Sequence, residues 1–165
     1  MSITVRPAVP ADAEHLARGN VAMALEAEHK RLDPVIAAAG VRALFAGADR
    51  GRYFVAERAG RFVGQLMITY EWSDWRNGTF WWIQSVYVDP SARRRGVFRA
   101  LYAHVDQLAR ADDGVCGLRL YVDRGNGRAQ ETYRRCGMHD SGYLVMEVDY
   151  SGAVQSAGGD AHARE

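Results

Sequence analysis

Val86-Tyr87-Val88-Asp89-Pro90-Ser91-Ala92-Arg93-Arg94-Arg95-Gly96-Val97-Phe98-Arg99-Ala100-Leu101 passes from a strand through a turn into a helix. Val86 and Val88 are β-branched, and Asp89-Pro90 stops the strand. From Val97 onward the apolar residues Val97, Leu101, Val105 and Leu108 recur at helical spacing. Gly96 therefore stands where a strand turns into a helix. The first N–H groups of that helix have no acceptor within it, and its aligned peptide dipoles add partial positive charge. With Arg93, Arg94 and Arg95 beside it, the turn is either a site for an anion such as phosphate or an ordinary solvated basic turn. The surrounding elements have to decide.

Upstream, Ile3-Thr4-Val5-Arg6 alternates as a strand, and Asp12 can cap a helix running through Leu16, Met23 and Ala27. Pro34 suits the first turn of a second helix reaching Ala46. Residues 53–58 and 61–70 read as two antiparallel strands around Ala59-Gly60, and Asn77-Gly78 signals a hairpin into a third strand, 79–88. Downstream, the helix after Gly96 should end near Asp112-Asp113-Gly114. A strand over 118–122, a polar loop over 123–127 and a short helix bearing Ala129, Thr132, Tyr133 and Cys136 follow, closed by Gly137. Residues 143–149 read as a last strand, and 151–165, rich in Gly, Ala and Ser, as a disordered tail.

A chain of 165 residues with 48% hydrophobic and 25% charged residues can bury one core, so 1–150 is expected to be a single domain. A net charge of +1 makes the arginines around Gly96 a local cluster and argues against nucleic acid as partner. Cys116 and Cys136 are too few for a disulfide framework and lack zinc-site spacing, so no metal is expected. No apolar run reaches the ~18 residues of a membrane span, and residues 1–6 hold no signal region. The expected location is the cytoplasm, with no membrane partner.

Two motifs in this order resemble the GNAT superfamily of N-acetyltransferases over about residues 3–149. The first is the acyl-CoA pyrophosphate loop, Arg93-Arg94-Arg95-Gly96-Val97-Phe98. The second is Asn126, Ala129, Tyr133 and Gly137-Met138. Phe98 departs from the pattern, since a small residue usually ends that loop. The resemblance implies a mixed α+β fold: a twisted sheet of about six to seven strands flanked by about four helices. It also implies acetyl transfer from acetyl-CoA to a primary amine, of a small molecule or a protein, and a tendency to form homodimers.

In such a fold the strand before the loop carries a bulge and splays from the next parallel strand, separating Val86-Tyr87-Val88 from Leu120-Tyr121-Val122. Pantetheine would bind the unpaired backbone there, and an N–H near Val86 to Val88 would stabilise an oxyanion. Arg93, Arg94, Arg95 and the N–H groups of Gly96, Val97, Phe98 and Arg99 would hold the pyrophosphate. Tyr133 is the family position for the acid that protonates the departing thiolate, or it is a core tyrosine on one stripe with Ala129 and Cys136. Asn126 is a cofactor contact or a helix cap.

Gln84 stands where many relatives carry a glutamate base, and an amide cannot take a proton at neutral pH. Glu71 and Asp74 are the substitutes in Tyr70-Glu71-Trp72-Ser73-Asp74-Trp75-Arg76. All four tryptophans, Trp72, Trp75, Trp81 and Trp82, fall in this hairpin. Aromatic faces beside carboxylates suit a cation, so Glu71, Asp74, Trp72, Trp75 and Gln84 are the acceptor-site candidates, and Glu26 and Glu28 the secondary ones. The same hairpin could instead be a dimer interface. The alternative function is a non-catalytic acyl-CoA sensor on the same fold, with Gln84 and Phe98 as marks of lost chemistry.

Overall fold

The computed structural model describes residues 2–47, 49–150 and the backbone of 154–156. The elements run β1 (Ile3–Pro7), α1 (Ala13–Glu28), β2 (Lys30–Leu32), α2 (Pro34–Ala46), β3 (Arg52–Arg58), β4 (Arg61–Ser73), β5 (Gly78–Val88), α3 (Val97–Arg110), β6 (Val115–Leu120), α4 (Gly127–Arg135) and β7 (Val154–Ser156). The main sheet has five strands in the order β1-β3-β4-β5-β6. All its pairings are antiparallel except β5 with β6. β2 and β7 form a separate antiparallel pair. The fold is mixed α+β, as expected, with a main sheet smaller than the six to seven strands anticipated.

Helices cover both faces, which is why β3 is apolar at consecutive positions. Phe54 and Ala56 join Leu66, Ile68, Trp81 and Ile83 beneath α3, which contributes Val97, Leu101, Val105 and Ala109. Tyr53 and Val55 face α1 and α2, meeting Leu16, Ala17 and Val41. Asp33 caps α2 by accepting from Val35 N at 2.7 Å, ahead of Pro34 in the first turn. Polar contacts also join α1 to the sheet: buried Gln65 donates through Nε2 to Leu16 O at 3.1 Å and Asn20 Oδ1 at 2.7 Å, and Asn20 Nδ2 donates to the Tyr53 hydroxyl at 2.8 Å.

The feature that opens the fold lies in β5. Gln65 pairs with Tyr87 and Met67 with Gln84, so three steps along β5 oppose two along β4. The extra residue is accommodated where Ser85 adopts φ 50°. Pairing with β6 ends at Ile83↔Leu120, and beyond it the two parallel strands diverge.

Three expectations need correction. Residues 143–149 form no strand; they have no regular secondary structure and are exposed, with Tyr143 73% and Met146 88% accessible. Their β-propensity describes a fit to a half-buried pleated surface, and no ladder among the described residues supplies one. The strand expected over 118–122 is β6, which starts at Val115 and stops at Leu120, because Tyr121 and Val122 already belong to the divergence. Asp12 precedes α1 without capping it: its carboxylate accepts from Val9 N and is gripped by Arg6 at 2.8 Å. Of segment 151–165, Val154–Ser156 lies along β2; the rest of that expected tail is outside the described residues.

Candidate functional site

The arginine turn is built by local chemistry. Asp89 accepts from Ser91 N at 2.8 Å and starts one 3-10 turn, Pro90–Ala92, after which Arg94 and Gly96 take φ 61° and 82°. An added Cβ at Gly96 would touch nothing within 4 Å, so glycine answers to the left-handed backbone there. Gly64 answers to space instead: a Cβ would lie 2.8 Å from Val97 Cγ1 and 2.9 Å from Tyr87 O. That close approach seats the buried first residue of α3 against β4 and β5.

Gly96 caps α3 with no side chain, which leaves the N–H groups of Val97, Phe98 and Arg99 open at the dipole's positive end. Arg94, Arg95 and Arg99 are exposed and form no ion pair among the described residues. Arg93 is different: its Nε donates to Val88 O at 3.0 Å and its Nη2 to Glu26. It ties the turn to α1, so three of the four arginines are free for an anion.

Where β5 and β6 diverge, a cleft of about 240 Å³ opens. Gln84, Ser85 and Val86 form one wall, Leu120, Tyr121 and Val122 the opposite one, and Met23, Ala27 and Glu28 of α1 close one side. Asp123, Asn126, Ala129 and Tyr133 complete it. Asn126 caps α4, accepting from Ala129 N at 3.0 Å, and lines the cleft as well. At the other end of α4, Gly137 turns left-handed and Met138 N donates to Tyr133 O at 3.1 Å. This short, doubly capped helix fixes Tyr133.

Burial pushes the Tyr133 phenol above its ordinary pKa, with Cys136 adding to the shift. The hydroxyl makes no hydrogen bond to any described residue. Phe98 packs edge-on against its ring at 5.4 Å and against Tyr102 at 6.0 Å. The residue that departs from the loop pattern thus supports the tyrosine of the second motif.

The acceptor-side candidates do not converge. Glu71 is occupied on both oxygens, Oε1 accepting from Arg119 Nη1 at 2.8 Å and Oε2 from Trp82 Nε1. Arg119 lies 3.7 Å over Phe80, and Trp82 packs on Tyr121 at 4.4 Å. Asp74 sits in the hairpin turn, accepting from Trp75 N at 2.9 Å. Trp72 and Trp75 are 64% and 83% exposed at the tip, while Trp81 is core. Gln84 does line the cleft and donates to Thr69 Oγ1 at 2.7 Å.

The carboxylates that line the cleft are instead Glu28 and Asp123. Glu28 is one of the secondary candidates that the sequence offers. Asp123 carries no sequence signal beyond being an acidic residue in the loop just past β6.

A second hollow of about 320 Å³, lined by Arg52, Tyr70, Thr79, Trp81, Asp112, Gly114 and Val115, lies at the start of β5 and the end of α3. It shares no residue with the cleft. Among the described residues no group of three His, Cys, Asp or Glu side chains could hold a metal, and no helix is long and apolar enough to cross a membrane.

This combination of bulged strand, uncapped helix turn and splayed parallel pair is the arrangement that the GNAT resemblance implies, and the comparisons with known proteins agree. The acetyltransferase (GNAT) family matches residues 22–138. A solved structure described as a possible acetyltransferase from Clostridium difficile 630 is 40% identical, with TM-score 0.84, covering 90% of this chain and 98% of that one. The integron cassette protein HFX_CASS3, from the mobile metagenome of Cole Harbour Salt Marsh, is 24% identical with TM-score 0.76, over 89% and 90% of the two chains. AAC(6')-Iy, solved with the bisubstrate analog CoA-S-monomethyl-acetylneamine, shares the fold at 16% identity and TM-score 0.72, over 90% and 99%. No curated protein matches the sequence. The chain belongs to the GNAT acetyltransferase family.

Proposed function

We propose that this protein transfers an acetyl group from acetyl-CoA to a primary amine of a cationic small molecule, directly, within a ternary complex. The observation that carries the proposal is the cleft itself, which gathers the free β5 edge, the Tyr133 phenol and the carboxylates of Glu28 and Asp123. The open N–H groups of Val97, Phe98 and Arg99, with Arg94, Arg95 and Arg99 around them, suit the doubly charged pyrophosphate. The edge of Val86-Tyr87-Val88 turned away from β4, which β6 leaves unpaired, suits the amides of pantetheine, and an N–H there would take the thioester oxygen as it gains charge.

The amine must shed a proton before attack and the thiolate must gain one. Tyr133 serves as the acid: its raised pKa keeps the phenol protonated throughout the neutral range. Glu28 and Asp123 hold the incoming ammonium and take its proton, directly or through water. In this reading Gln84 positions, through its bond to Thr69, and does not titrate. Glu71 braces β6 against β4 by way of Arg119. The neamine-derived bisubstrate analog bound by AAC(6')-Iy makes amino sugars one arm of the acceptor panel, beside linear diamines and amino acids.

The test is release of thiol from acetyl-CoA across that panel, with mass detection of the acetylated product. We expect an amine-dependent rate that falls ~100-fold or more in Tyr133→Phe. A chain that binds acetyl-CoA yet acetylates no amine is a sensor, and the proposal fails.

A further inference from the structure

Lys30 is the single lysine of the chain, against 20 arginines. α1 ends at Glu28, His29 reverses the chain through a left-handed residue (φ 53°, ψ 35°), and β2 begins with Lys30. The reversal returns the lysine ammonium to the helix end, 3.0 Å from Glu28 Oε2. Glu28 in turn lines the cleft with Tyr133, Gln84 and Asp123. One primary amine of this protein's own is therefore held a single carboxylate away from the place where an acyl group would be transferred. Its side chain is 48% exposed on a flexible four-carbon stem, so it is free to swing. Arginine could not substitute chemically, because its guanidinium stays protonated.

We propose that Lys30 is an acceptor in cis, acetylated by the protein's own acyl-transfer site; this rests on the acetyl-transfer reading above. The ammonium gives one proton to Glu28. The freed Nζ lone pair attacks the thioester carbonyl of acetyl-CoA, a C–N bond forms and the C–S bond breaks. The second nitrogen proton leaves to solvent, and the departing sulfur takes the Tyr133 proton, which solvent restores. The products are acetyl-Lys30 and coenzyme A. The modification removes the cation that pairs with Glu28. Asp123 and Glu147, whose charges also act on Lys30, lose it too. The cleft mouth then carries these carboxylates without the Lys30 cation and receives a cationic acceptor more readily.

The experiment incubates the full chain with acetyl-CoA and no added amine, following intact mass and mapping peptides to separate Lys30 from the α-amino group. We expect one acetyl group on Lys30, added at a rate independent of protein concentration and slowed at least about tenfold in Tyr133→Phe. Lys30→Arg should take no label at that position, and Lys30→Gln should show a lower KM for a diamine than the unacetylated wild type. Equal labelling of Lys30 in the folded chain, in Tyr133→Phe and in heat-unfolded protein would mean simple chemical acetylation and overturns the proposal. A chain that acetylates added amines while Lys30 stays unlabelled overturns it alone and leaves the transfer reading standing. A chain that neither binds acetyl-CoA by calorimetry nor releases thiol overturns both.

Discussion

Replacing Glu71 by glutamine separates a structural carboxylate from a catalytic one. The native side chain accepts from Arg119 Nη1 at 2.8 Å and from Trp82 Nε1, bridging β4 to β5 and β6. Hydrogen bonds to a charged group are worth ~1.5–3 kcal/mol when sheltered. Here the Glu71 side chain is 42% exposed and Arg119 28%, so solvent screening brings each bond to about 1 kcal/mol. Glutamine keeps one acceptor oxygen and turns its NH2 toward one of the two donors. It loses one bond and gains a donor–donor contact, a cost of about 1–2 kcal/mol. For a domain of this size that lowers Tm by about 2–8 °C. Arg119 keeps its stack on Phe80, so the strand stays in place. The assay pairs urea unfolding, read by tryptophan fluorescence, with kcat and KM on the best acceptor. We expect reduced stability with kcat within about threefold of wild type. An unchanged Tm with kcat down ~100-fold or more would make Glu71 the reacting base and refute the bracing role.

Gly19→Ala tests the contact of α1 with the sheet. Its Cβ would lie 2.5 Å from Gln65 Oε1, and Gln65 is pinned at Leu16 and Asn20, so an overpacking cost of ~1–3 kcal/mol outweighs the ~1 kcal/mol helix gain. Thermal unfolding should show net destabilisation, and the same change made in a Gln65→Ala background should not; stabilisation in the wild-type background counts against the contact. The Asp12 carboxyl is held below the usual carboxylate range chiefly by the Arg6 hydrogen bond. Its contribution is therefore present above an unfolded pKa near ~3.9 and disappears as pH falls through the lower folded value. Stability measured from about pH 5 downward should drop less steeply in Arg6→Met, and parallel acid limbs would contradict this. Phe98→Leu removes the edge contact on Tyr133; with aromatic pairs worth ~0.5–1.5 kcal/mol, kcat should fall about 2- to 10-fold at unchanged affinity for coenzyme A. A rise in the coenzyme A dissociation constant alone would instead place the Phe98 ring, and not only its N–H, in the cradle.

What could be read from the sequence was what short-range chemistry decides. Asp89-Pro90 and the left-handed Gly96 need only their neighbours to make a strand-to-helix turn, and Asn126 needs only Ala129 to cap α4. The fate of Glu71 was hidden because it depends on Arg119, a partner placed only by the parallel pairing of β5 with β6. The four tryptophans look like one cluster along the chain, yet they separate in space: Trp81 turns inward, Trp82 packs on Tyr121, and Trp72 and Trp75 stand at an exposed tip. Strand alternation sends adjacent residues to opposite faces, so density along the sequence overstated convergence. The reverse error hid Asp123 and set Glu28 in second place. They belong to a helix end and a loop remote from each other in sequence, and they meet because β6 stops pairing at Leu120 while β5 bulges at Ser85. In the proposed reading a bulge of one residue therefore does two things at once: it frees the backbone edge that the cofactor would occupy, and it draws into the same cleft carboxylates suited to an amine acceptor.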